Sequence, residues 1–130
     1  MALNNPLAAV LSRILNAEQV GKRNFTTPLN SKMIRAVLQI MQDEGYITTY
    51  TEDKDARGNS LTINLAGKVN KTGVITPQFN VDTKGFVQFE KRYLPSKDFG
   101  VLILSTNKGI MTHKQAKEEN VGGKLLAYVY

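Results

Sequence analysis

GVLILSTNKGIMTHKQ, running from Gly100 to Gln115, is the stretch from which the rest of the chain can be ordered. Val101-Leu102-Ile103-Leu104 is a short run, apolar on both faces and bounded by turn-forming residues, which is the pattern of an interior strand. Thr112 and Gln115 have the spacing of a capping box, so a short helix is expected from there through Glu119. Within that helix His113 falls in the first turn and reads as a solvated side chain. Gly122-Gly123 breaks the helix, and Lys124 to Tyr130 reads as a terminal strand. Between strand and helix lie two hydroxyls, an amide, a lysine and a glycine: Ser105, Thr106, Asn107, Lys108 and Gly109. Such a cluster can be a turn whose side chains satisfy backbone groups, or a surface that meets a ligand. The chemistry alone leaves both open.

Working outward, Phe86-Val87-Gln88-Phe89 alternates loosely and is followed by the basic pair Lys91-Arg92. Val74 to Val81 reads as extended around Pro77, and a turn-rich basic segment from Lys68 to Lys71 precedes it. Earlier still the pattern is clearer. Leu7, Val10, Leu11, Ile14 and Leu15 make one helical face behind the cap Asn5 and Pro6. Lys22 to Thr27 looks extended and stops at Pro28. Ile34, Val37, Leu38 and Met41 repeat the helical spacing behind Asn30 or Ser31 as cap, with Gly45 as the left-handed stop. Tyr46 to Thr51 and Leu61, Ile63 and Leu65 are strand candidates, joined by a charged loop from Glu52 to Asn59. The fold class is therefore α/β in the broad sense, α+β in detail, with two small lobes. Residues 1–66 form an N-terminal α-β-α-β-β lobe, and residues 67–130 a mostly β lobe with one short helix.

The chain has 130 residues, enough to bury roughly 65% of its unfolded surface. It has no cysteine, which excludes disulfides, a thiolate nucleophile and sulfur-ligated metal. One histidine excludes a histidine metal cluster, and no phosphate-cradling or dinucleotide glycine motif occurs. No cofactor, metal or small-molecule substrate is expected, and an enzyme is not. No leader-like start and no apolar run of ~20 residues suggests a membrane partner. Net charge is +6 and uneven: residues 66–130 carry ten Lys and Arg against five Asp and Glu, residues 1–65 seven against six. The second half is thus the better candidate for a polyanionic partner.

Two binding readings follow. Residues 32–65, a helix followed by a charged hairpin, have the sequence shape of a winged helix, which would make the chain a DNA-binding regulator acting through Lys32 to Gln42. The extended Phe25-Thr26-Thr27-Pro28 stands where that motif needs a helix and a tight turn. The other reading uses the opening stretch. Hydroxyls and an amide at a strand end can reach sugar hydroxyls and base edges in the shallow minor groove of an A-form duplex. Gly109 allows close backbone approach, a helix starting after Thr112 offers amides, and Lys108, Lys114 and Lys124 add a salt-sensitive attraction.

Gly100-Val-Leu-Ile-Leu-Ser105-Thr106-Asn-Lys-Gly109-Ile110-Met111, with Ala116-Lys117 four residues on, resembles the signature of the universal small-subunit ribosomal protein family numbered eight. Asn5-Pro6-Leu7 through Asn16-Ala17, Ser31-Lys32 and Glu44-Gly45-Tyr46-Ile47 are similar to the family elsewhere. Gly67 to Gly73 and the ending Ala127-Tyr128-Val129-Tyr130 resemble its archaeal and eukaryotic branch. The resemblance implies a cytoplasmic, ribosome-bound structural protein with an N-terminal α/β lobe and a mostly β C-terminal lobe. It also implies binding to a helix in the central domain of small-subunit ribosomal RNA early in assembly, neighbouring ribosomal proteins as partners, and in some members repression of the protein's own mRNA. On that analogy Ser105, Thr106, Asn107 and Lys108 contact RNA with Gly122 and Gly123 beside them. Ser31 and Lys32 form a secondary site, and Lys91 and Arg92 a basic rim. Many relatives carry Ser at the position of Asn107, and Arg is common in that branch where this chain has Gln78. The charged tip from Thr51 to Arg57 has no role assigned.

Overall fold

The computed structural model describes residues 5–55, 58–76, 79–95 and 99–130, and these form two compact units that meet in sequence at Lys71 and Thr72. The N-terminal unit contains α1 (Pro6–Val20), β1 (Asn24–Thr27), α2 (Lys32–Asp43), β2 (Ile47–Asp55) and β3 (Gly58–Leu65). Its sheet is antiparallel in the order β1-β3-β2. The apolar stripes expected of the two helices are the buried ones: Leu7, Val10, Leu11 and Ile14 on α1, and Ile34, Val37, Leu38 and Met41 on α2. They close over Phe25, Ile47, Leu61 and Ile63 from the sheet.

The helix ends follow their side-chain chemistry. Asn5 accepts from the Ala8 amide at 3.2 Å, and Ser31 rather than Asn30 caps α2, accepting from Ile34 at 3.1 Å. Gly45 is left-handed, φ 84°, and the Tyr46 amide returns to Met41 O at 2.8 Å, closing the helix as expected. The loop expected from Glu52 to Asn59 is mostly strand: Glu52, Asp53, Lys54 and Asp55 pair with Leu61, Ser60, Asn59 and Gly58. Glu52, Asp53 and Lys54 are all exposed: Asp53 accepts from Thr62 on one face, and Glu52 on the other pairs with Arg35 of α2 and accepts from Asn30. Ala56 and Arg57 lie outside the described residues. Strand β1 between α1 and α2 removes the helix-turn-helix that a winged helix requires.

The C-terminal unit contains β4 (Thr72–Val74), β5 (Asn80–Val81), α3 (Phe86–Tyr93), β6 (Val101–Thr106), β7 (Gly109–Thr112), α4 (His113–Glu119) and β8 (Gly123–Val129). The strands run β4-β8-β6-β7, with β5 also paired to β8. Interior strand β6 is buried over all four apolar residues, as its composition demands. Leu102, Leu104, Met111, Ala116, Leu125 and Phe86 form the centre of one apolar cluster. Pro77 and Gln78 lie outside the described residues.

Four expectations for this unit are corrected. It has two helices, because Phe86 to Tyr93 is helical: Phe86, Phe89 with Glu90, and Tyr93 fall at i, i+3/i+4 and i+7 and turn inward, a period that loose alternation obscured. A short strand, β7, intervenes between the hydroxyl cluster and α4, so the cluster is a hairpin and not a strand-to-helix turn. The capping box at Thr112 and Gln115 is present, but Asn120, φ 55°, ends the helix two residues before the glycines. His113 is 3% exposed rather than solvated. Its Nδ1 accepts from the Leu102 amide at 3.0 Å, and its Nε2 lies 3.2 Å from Glu90 Oε1, which Lys117 also contacts.

Candidate nucleic-acid interface

Strand β6 is the third of the four strands in line and pairs on both sides, so its end is held from two directions. At that end Asn107 and Lys108 make a two-residue turn into β7, with Thr106 opposite Gly109. Neither turn residue takes a positive φ; Gly109 does, at 118°. Thr106 fixes the turn from inside. Its hydroxyl donates to Gly109 O at 2.8 Å and accepts from the Lys108 amide at 3.1 Å. Asn107 and Lys108 are exposed at the apex.

Ser105 differs from its neighbour. It is half-buried, its backbone is paired on both sides with Ile110 and Lys124, and its hydroxyl has no hydrogen-bond partner among the described residues. Adjacent side chains of a strand point to opposite faces, so Ser105 and Thr106 cannot share one role. Thr106 organises the hairpin, and Ser105 offers a free donor and acceptor. Lys124, exposed, stands across the ladder from Ser105, so the hairpin carries Lys108 at its apex and Lys124 at its flank.

Gly123 lies opposite Thr106 on β8, and Gly122 abuts β5. A Cβ on Gly123 would overlap Ser105 O and sit 2.8 Å from Ser105 C; one on Gly122 would lie 2.9 Å from Asp82 Cα. Both positions therefore need glycine for backbone contact within the protein itself. The structure thus brings together six residues singled out in the sequence: Ser105, Thr106, Asn107, Lys108, Gly122 and Gly123. The expected offer of α4 amides is reduced, since the Gln115 amide is taken by Thr112 and the Thr112 amide by Gln115.

Lys91 and Arg92 sit on α3, both exposed, in the last turn where cations favour the helix dipole. A groove of about 630 Å³ connects this helix to the glycine pair, lined by Asn80, Asp82, Gln88, Phe89, Gly122 and Gly123. Lys84 and Gln88 join Lys91 and Arg92 in a shallow hollow; the helical period through Phe86 and Tyr93 would have placed Gln88 beside Lys91, whereas Lys84 comes from the preceding turn. In the N-terminal unit Ser31 caps α2 and Lys32 is its exposed first residue. Arg35, one turn on, is engaged with Glu52 at 3.2 Å, whereas Lys32 has no ion-pair partner among the described residues.

Two small lobes, each with helices and an antiparallel sheet, and a basic hairpin at the end of one sheet define a class: a two-lobe α+β protein whose hairpin suits a polyanion. The chain belongs to the ribosomal protein S8 family, whose model matches residues 5–130. It is accordingly a small-subunit ribosomal protein that binds ribosomal RNA, with a structural and not an enzymatic part in translation, among other ribosomal proteins. No helix among the described residues is long and apolar enough to cross a membrane.

Proposed function

We propose that the protein binds a helical element in the central domain of small-subunit ribosomal RNA as a primary binder, early in subunit assembly, with the hairpin from Ser105 to Lys108 as its main contact. The observation that carries this reading is the free Ser105 hydroxyl, rigidly mounted beside a turn that Thr106 holds closed. A donor fixed before binding loses little conformational entropy on complex formation. A hydroxyl and an amide at a narrow hairpin tip suit the shallow minor groove of an A-form helix, where 2′-hydroxyls and base edges are within reach. Lys108 and Lys124 supply the sequence-blind attraction to phosphate. Gly122 and Gly123 let β8 close against β5 and β6 and so hold the hairpin's base in place.

Ser31 and Lys32 form the secondary contact in this reading. Lys32 supplies the charge, and Ser31, occupied as a cap, sets the helix start that presents it. Lys91 and Arg92 extend the basic rim of the C-terminal lobe. Small-subunit ribosomal proteins next to this RNA element are the expected neighbours, the protein's own mRNA is a second candidate target, and the cytoplasmic ribosome is the location. The resemblance of Gly67 to Gly73 and of the C-terminal Ala127 to Tyr130 supports the archaeal and eukaryotic branch.

The test is a salt-series titration of the protein against a central-domain ribosomal RNA fragment, with mixed duplex DNA and a scrambled RNA hairpin as competitors. Binding to the fragment should outlast binding to both competitors as salt rises. Equal, salt-erased binding to all three would overturn the reading.

A further inference from the structure

Helix α3 sorts its charges by side. Its only acid, Glu90, turns inward to His113 and Lys117. Its outer side carries Gln88 and Lys91, and Lys84 in the turn before the helix lines the same hollow; all three are exposed. Arg92 follows, its guanidinium 5.7 Å from the ring centroids of both Phe79 and Tyr93, which restrict where it points. Among the described residues none of Lys84, Lys91 and Arg92 has a carboxylate partner. An ordinary solvated helix face interleaves acids with bases. Here three cations within nine residues stand unneutralised, and an anionic partner would remove their mutual repulsion.

The geometry also joins this side of α3 to the hairpin. Gln88 lines the groove that ends at Gly122 and Gly123, and it also lines a shallower hollow with Lys84, Val87, Lys91 and Arg92. Since Gly123 stands opposite Thr106, one strip of surface runs from hairpin to cations within a single lobe. The groove carries polar groups of a different kind: the amides of Asn80 and Gln88 and the carboxylate of Asp82, whose Oδ1 accepts from the Lys84 and Gly85 amides. A carboxylate repels phosphate but accepts from a hydroxyl.

We infer that the outer side of α3 is a second RNA contact that reads the sugar–phosphate backbone. Lys84, Lys91 and Arg92 take phosphates, and Asn80, Asp82 and Gln88 take ribose 2′-hydroxyls. No base is read there. The contact strengthens binding without adding sequence preference, and it favours RNA over DNA because DNA lacks the 2′-hydroxyl. This inference rests on RNA being the partner of the hairpin, as proposed above.

The experiment uses the full chain and the central-domain RNA fragment, comparing wild type with Lys84→Gln/Lys91→Gln and with Gln88→Ala, all at exposed sites. The double variant should bind about 10-fold more weakly at moderate salt, with the slope of log K against log salt shallower by roughly 1–2. Its preference for the fragment over the scrambled hairpin should not change. Gln88→Ala should lose about 3–10-fold with the slope intact, the size of one lost hydrogen bond. Single 2′-deoxy substitutions walked along the fragment should include a position that weakens wild type but costs the Gln88→Ala protein nothing further. An unchanged slope in the double variant overturns the inference and leaves this side of α3 to an acidic protein partner. The two proposals fail separately: a wild type that prefers the fragment beside α3 variants with unchanged slopes sinks only this one, whereas loss of wild-type preference for the fragment sinks the function proposed for the hairpin.

Discussion

Replacing His113 tests how the C-terminal lobe is held together. The ring is enclosed between α3, α4 and β6, with Nδ1 accepting from the Leu102 amide and Nε2 facing Glu90. Because Nδ1 is an acceptor, the proton of the neutral ring sits on Nε2 and points at the carboxylate. His113→Ala removes the partner of a buried backbone amide, worth about 1–3 kcal/mol, and leaves a void that adds to it. Glu90 keeps Lys117, so no carboxylate is stranded. The expected cost is about 2–4 kcal/mol. His113→Asn should cost less, since its side-chain oxygen can stand in for Nδ1. Burial holds the His113 pKa below its ordinary 6.5, with Lys117 and Lys114 pushing the same way and Glu90 opposing them in part. The neutral ring's contribution is therefore complete above pH 6.5. It is lost as pH falls from there through the folded-state pKa, because the unfolded chain binds a proton that the folded one refuses. The slope cannot exceed about 1.36 kcal/mol per pH unit for one group. With one histidine in the chain, urea unfolding between pH 7.0 and 5.5 isolates it. Wild type should lose stability over that range and His113→Asn should not. The reasoning is refuted if both slopes match, or if Ala and Asn cost the same at pH 7.

Two further outcomes follow from the hairpin. Ser105→Ala should leave the urea midpoint within experimental error and weaken binding to the RNA fragment by about 1–3 kcal/mol, whereas Thr106→Ala should lower both stability and affinity, having lost its bonds to Gly109 and Lys108; identical profiles for the two variants would show that the division of labour is wrong. Gly123→Ala must push β8 away from β6, since the new methyl overlaps Ser105 O and lies 3.0 Å from Thr106 Cγ2, so a loss of about 1–3 kcal/mol or more is expected in urea unfolding. An unaltered midpoint would mean the strands separate there at no cost.

Much of this fold is visible in the sequence where a period meets its punctuation. Helix α2 is an example: the stripe from Ile34 to Met41 lies between a Ser cap and a left-handed Gly, and local rules suffice. Helix α3 fails that test. Its N-cap Gly85 has no side chain to cap it, the Asp82 carboxylate binding only the Lys84 and Gly85 amides of the preceding turn, and its inward side mixes Phe86 with Glu90. A carboxylate facing the core looks like a solvated one until its partners are known, and those partners, His113 and Lys117, are more than twenty residues away. The reading of His113 failed for the same reason. Its position in the first turn is a local fact, while its burial depends on α3 folding over it.

The hairpin shows the same limit at a smaller scale. Ser105 and Thr106 are interchangeable in composition, and only the folded hairpin separates them: the Thr106 hydroxyl bonds Gly109 and Lys108, and that of Ser105 has no partner among the described residues. The pairing of β7 also explains why the hydroxyl cluster can be a rigid tip: β6 is held by β8 along one edge and by β7 along the other. The buried His113 then extends this rigidity. It binds the amide of Leu102 in the strand that ends in the hairpin, and it faces Glu90 on the helix whose outer side carries Lys91 and Arg92. One polar side chain thus sets the position of two basic surfaces relative to each other. That accounts for a buried histidine beside the apolar cluster: an apolar residue of similar size would fill the space but would leave the Leu102 amide unpaired and Glu90 with Lys117 alone, losing the link that aligns strand and helix.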